Sequence, residues 1–168
     1  MKPIIILAIW LAVNCSGFAE SVLVVKTELT EYGMFTEGTL TPSLLKRFKT
    51  CMEPSTEPTP EPRLIQQTDQ IPAKLKTIFG ISYVIHGAPF HAPFDIRIRL
   101  THPKITNPKT AETSSVVEYT VNTAIGERNY DAFKFDDSWE IALGKWTFQI
   151  FQGEQLLMQK TFEIKPET

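Results

Sequence analysis

Cysteine is scarce in this chain: Cys15 and Cys51 are the only two in 168 residues. One disulfide at most can form, so the fold rests on packing rather than on a cross-linked framework. Charge is almost balanced. Seventeen basic side chains face nineteen acidic ones, a net charge of −2. That balance leaves no electrostatic footprint for DNA, RNA or anionic lipid. No apolar run approaches the roughly 20 residues that a spanning helix needs. No long segment carries a convincing helical period. A G-x-S-x-G nucleophile elbow and an EF-hand spacing are both missing, which removes the simplest hydrolase and calcium-sensor readings.

What is present begins at the first residues. Lys2 is followed by Ile4 to Val13, ten consecutive apolar residues. That is the charge and core length of an export signal. Gly17-Phe18-Ala19 then supplies small residues for the peptidase, so cleavage is expected after Ala19, with Glu20 as the new N-terminus. The competing expectation is a lipoprotein anchored through Cys15, although Asn14 fits poorly where a small residue normally precedes the lipidated cysteine. Cleavage leaves residues 20–168 as one domain with 16 basic and 19 acidic side chains, a charge of −3. It also leaves Cys51 alone, either as a free thiol or paired between molecules. The expected product is periplasmic or secreted and has no stable membrane span.

The remainder reads as strands. "SVLVVKTEL" (21–29) is β-branched and then alternates. Gly33 in "TEYGMF" suggests a bulge, a bend or a close backbone approach. Residues 51–63, "CMEPSTEPTPEPR", place Pro54, Pro58, Pro60 and Pro62 among Glu, Ser and Thr. With few ladder donors and almost nothing to bury, they predict an exposed, extended loop. From residue 76 the alternation is dense. Phe79, Ile81, Tyr83 and Ile85 define one buried face, with Ile78, Gly80 and Ser82 opposite. Phe94, Ile96, Ile98 and Leu100 alternate with Asp95, Arg97 and Arg99. "SSVVEYTVN" and "ERNYDAFKFDD" supply two more strands. Trp146, Phe148 and Ile150 face one way, and Leu156, Met158, Phe162 and Ile164 return on that face, with Lys160 as the exception. The expectation is an all-β protein, an antiparallel β-sandwich of about seven to eight strands.

Taken in order, "TEYGMF", "IPAKLKTIFGISYVIHG", "HPKITNPKT", "YDAFKFDDSWEIALGKWTFQIF" and "LLMQKTFEI" resemble the bacterial domain-of-unknown-function family 3859 over residues 25–164. The resemblance implies an immunoglobulin-like sandwich, with no assigned activity and no catalytic residue to carry over. Lys76 departs from it, standing where the family usually has glycine, and Ile164 replaces a commoner valine. The proline-rich insertion is foreign to the pattern.

Candidate site residues are few. His86, His91 and His102 with Asp95 have the chemistry of zinc or copper ligands, but a strand running from His91 to His102 separates them by roughly 30 Å at about 3.3 Å per residue. Turn histidines in solvent are the expected reading. Asp131, Asp136, Asp137 and Glu140 are numerous enough for calcium, yet Trp139 interrupts them, and a polar connection before a strand is the plainer account. No metal or cofactor is therefore expected. Phe90, between Pro89 and Pro93 in "GAPFHAPF", and Trp139 are the candidates for a recognition surface. For Trp139 the favoured reading is a plug in one end of the sandwich, because a tryptophan gains much by burial. These features favour a non-enzymatic module that binds a protein, with an envelope component as the expected kind of partner. A carbohydrate-binding module, using Trp139, Phe90 and Tyr130 as a platform, is the second expectation. A metal protein or enzyme is the third.

Overall fold

The computed structural model describes residues 22–36, 49–50, 53–54 and 62–167. The leader expected over 1–19, Cys15, Cys51 and most of the proline-rich segment lie outside the described residues. Among the described residues, nine strands have three or more residues: β1 (Leu23–Thr36), β4 (Arg63–Gln66), β5 (Gln70–Pro72), β6 (Ile78–Ala88), β7 (Pro93–Thr106), β8 (Thr113–Ala124), β9 (Arg128–Lys134), β10 (Gly144–Gln152) and β11 (Gln155–Lys165). Two further segments, β2 (Lys49–Thr50) and β3 (Glu53–Pro54), contribute two residues each. The count exceeds the expected seven to eight because β4 and β5 are too short to show a period of their own.

The strands form two sheets, ordered β3-β2-β9-β6-β1-β4 and β5-β11-β10-β7-β8. Most pairs are antiparallel. The exceptions are β5 with β11 and β2 with β9, where short segments run parallel to a neighbour. The alternating apolar positions meet between the sheets. Phe79 is at the centre, with the rings of Phe135, Phe162, Trp146, Phe133 and Phe148 between 5.4 and 6.2 Å away. Three of these contacts are edge-on, the arrangement ring quadrupoles favour. Trp146 is fully buried and gives its indole N–H to the carbonyl of Ala142 at 2.9 Å.

The sequence placed one face of β6 inside, but both faces are covered. Ile78 joins Phe35, Ala132 and Leu64 in a second apolar cluster on the outer side of its sheet. Ser82 is also buried, bonded to Thr30 and Arg128. At Gly33 the backbone has φ +132° and a side chain would strike the carbonyl oxygen of Gln66, so glycine permits the close approach of the chain leaving β4, the neighbouring strand of the same sheet. Lys160 faces inward at the rim, its ammonium 2.5 Å from Asp69 and 3.5 Å from the ring centre of Tyr32.

Candidate functional site

Phe90 lies in the connection from β6 to β7. Its ring covers Gly126, where any side chain would collide with it, and rests 4.0 Å from the His91 ring. The backbone is tied down by the His91 N–H to the Ile125 carbonyl at 3.1 Å. Phe90 is nevertheless 68% exposed. Leu23 pairs with Ala88 at this end, and Leu23 and Val25 are 64% and 73% exposed. The register shift between Val24 and Lys26 is what leaves Val25 out of the inward alternation.

Trp139 does not join them. It sits in a 3-10 turn, Ser138–Glu140, half-buried against the main core. The turn touches β7 and leads into Gly144, which lies beside Pro103. Pro103 and the Phe90 loop are at opposite ends of β7, roughly 30 Å apart at about 3.3 Å per residue. Tyr130 is buried beneath the Arg128 guanidinium, 5.1 Å from its ring centre. Phe90, Trp139 and Tyr130 therefore do not align as one platform.

The histidines are also separate. His86 bonds Glu28 at 3.1 Å, and Asp95 accepts from Asn122 at 2.8 Å. His102 corrects the expectation of solvent-exposed turn histidines. It is buried, stacked 4.8 Å from Trp146, and donates Nδ1–H to the Pro103 carbonyl at 2.8 Å. Burial pushes its imidazole below the ordinary value of 6.5, and that hydrogen bond offsets part of the effect. Among the described residues, no group of three or more His, Cys, Asp or Glu is arranged to hold a metal.

The four acidic residues also divide rather than cluster. Asp131 is inside the sandwich, taking the hydroxyl of Tyr83 at 2.8 Å and that of Tyr119 at 2.6 Å. Burial raises the Tyr83 phenol well above its usual range, and the nearby carboxylate raises it further. Glu140 is buried and accepts the backbone N–H groups of Asp136 and Asp137 at 2.7 and 3.0 Å. Burial raises its carboxyl too, against the lowering effect of those bonds. Sequence reasoning put these carboxylates in a polar connection. Burial of Asp131 and Glu140 follows from partners distant in the chain or folded back onto it, which have no period to read.

A groove of about 510 Å³ opens on the outer face of β1 and β6, floored by Phe35 and Ile78 and flanked by Lys74, Lys76 and Lys134. These ammonium groups are already engaged. Lys74 pairs with Glu167 at 2.6 Å, while Lys76 and Lys134 share Asp136 at 3.0 and 3.5 Å.

Two packed sheets with an aromatic centre define an immunoglobulin-like sandwich. In line with this, an immunoglobulin-like protein from Pseudomonas aeruginosa superposes with a TM-score of 0.60 at 24% identity, covering 89% of this chain and 100% of that one. A beta-D-glucoside glucohydrolase from Trichoderma reesei is similar only at a TM-score of 0.33 and 10% identity, over 83% of this chain and 19% of the enzyme. The family model for "Domain of unknown function (DUF3859)" matches residues 25–164, and the chain belongs to that family. No curated protein matches the chain. Among the described residues, no helix is long and apolar enough to cross a membrane.

Proposed function

We propose that this chain is an exported, non-enzymatic sandwich that binds another protein of the cell envelope through the end carrying Phe90. The observation that carries the reading is the exposure of Phe90 on an anchored backbone. A large ring held in solvent by a fixed loop offers apolar area for burial, with little ordering cost on binding. Leu23 and Val25, exposed at the same end, would extend the contact. The apolar run before Ala19 supports export. Trp139, packed on the core at the other end, serves the fold in this reading.

The test is photo-crosslinking in the source cell, with the full chain carrying a benzophenone amino acid at position 90 or, as control, at the exposed Gln159 of β11. A discrete adduct from position 90 that is absent from position 159 is the expected result. No adduct at 90, in a chain that melts like the wild type, would overturn the reading.

A further inference from the structure

Among the described residues, the two sheets end in four strands: β3 and β4 in one, β5 and β8 in the other. Three of them are guarded. β3 has two residues and β5 three, each ending in proline, and β4 has four, starting with Arg63. Short length, proline and edge charge are the usual means of preventing edge-to-edge pairing. β8 is neither short nor ended by proline, and its single charge is held by two arginines of its own sheet. It is twelve residues long, "TSSVVEYTVNTA", without proline, lysine or glycine, and half of it is Val or Thr. Its pairing with β7 is regular from Val116 to Ala124, and the register shift lies beyond, between Thr101 and Ile105 of β7. Its one charge, Glu118, is bound by Arg99 at 2.5 Å and Arg97 at 3.3 Å. These partners hold the carboxyl below its ordinary range, the Arg99 hydrogen bond most of all.

We infer that β8 pairs antiparallel with β8 of a second copy of this chain, on a two-fold axis through Thr120. Thr120 is the midpoint of the regular stretch, so this register pairs all of Val116 to Ala124. It sets Thr120 against Thr120. Each Glu118 faces an Asn122 rather than another carboxylate, and each Tyr119 faces a Val121. Thr–Thr and aromatic–β-branched pairs are stabilising across strands, whereas like charges directly opposite repel. An axis through Glu118 would bring two carboxylates together. The pairing joins two five-stranded sheets into one and offers partners to outward backbone groups in the middle of β8. At the ends of the strand, Ser114 Oγ already bonds the N–H and carbonyl of Val116, and the Glu127 N–H already bonds the carbonyl of Ala124. The pairing stands independently of the binding role proposed for Phe90.

The test places single cysteines in the full chain with Cys15→Ser and Cys51→Ser. Thr120→Cys is expected to give a thiol-crosslinked dimer in cells at least tenfold more abundantly than Gln159→Cys, which is exposed on β11. In co-expressed, differently tagged chains, Glu118→Cys should link to Asn122→Cys and not to Glu118→Cys. All three positions are exposed on β8, and unchanged melting of each variant confirms folding. Equal crosslinking at 120 and 159 would overturn the pairing. A dominant 118–118 product would overturn the Thr120 axis.

Discussion

Tyr119 in one sheet donates its hydroxyl to Asp131 in the other at 2.6 Å, while Tyr83 donates to the second oxygen of that carboxylate at 2.8 Å. Close by, Thr123 crosses the same gap to Asn129 at 2.7 Å. The β8–β9 side of the sandwich is thus closed by hydrogen bonds, whereas the centre is closed by aromatic rings. A carboxylate removed from water is tolerated only with donors on its oxygens.

Truncating that carboxylate leaves two phenols without their acceptor. Asp131→Ala is expected to destabilise the protein by about 3 kcal/mol, and Tyr119→Phe by about 1.5 kcal/mol because Tyr119 is only partly buried. Urea melts of the two variants measure both losses. A Tyr119→Phe loss as large as that of Asp131→Ala would show that the second phenol adds nothing.

Lys76 occupies the position where the family pattern has glycine, and its φ is +67°. This is the left-handed region, which costs a residue with a side chain about 1 kcal/mol. Its ammonium pairs with Asp136, but the side chain is 65% exposed, so the pair contributes at most a few tenths of a kcal/mol. Lys76→Gly is therefore expected to stabilise by about 0.5 kcal/mol. Lys76→Ala loses the pair and keeps the strain, so it should lower stability slightly. Parallel thermal melts decide it: a Gly variant no more stable than the Ala variant would contradict the strain.

His102 makes stability depend on pH. Its folded pKa is depressed, so the unfolded chain binds the proton more readily. The contribution is fully present above the unfolded value near 6.5 and is lost as pH falls through the folded value. Glu140, with a raised pKa, acts in the opposite sense: its favourable contribution is present below about 4.5 and is lost as pH rises through its folded value. His102→Phe, which keeps a ring against Trp146, should flatten the loss of stability below pH 6.5. Denaturant midpoints at intervals from pH 7.5 to 5 measure the difference between the two chains. An unchanged slope would move the proton uptake elsewhere.

The strands that could be read in advance were those with one wet face. β7 alternates Phe94, Ile96, Ile98 and Leu100 with charged residues, and all four are inside. The β10–β11 return was legible for the same reason from Met158 onward, and Lys160, the residue that broke its parity, is found at a rim. Leu156, expected on the inner face, is 44% exposed because the register shifts opposite Ile150 and Phe151 and turns it outward. β6 was legible only on one side, since burial of its outer face depends on Phe35, Leu64 and Ala132 around Ile78 and on Thr30 and Arg128 at Ser82, all from other strands. Asp131, Glu140 and His102 were misplaced because polar residues look solvated until their partners are known. A surface shared by Phe90 and Trp139 stayed open as the alternative to a Trp139 plug because sequence order says nothing about which end of a sandwich each connection occupies.

That this chain is all-β, that its core is aromatic and aliphatic, and which family it belongs to could all be read from the order of its residues. Period-two alternation is a local property, written into each strand by the pleat. Tertiary structure alone decided which strands lie side by side, which polar groups are buried between them, and that β8 is left as the long edge. Those outcomes depend on contacts between residues far apart in the chain, and no local pattern encodes them.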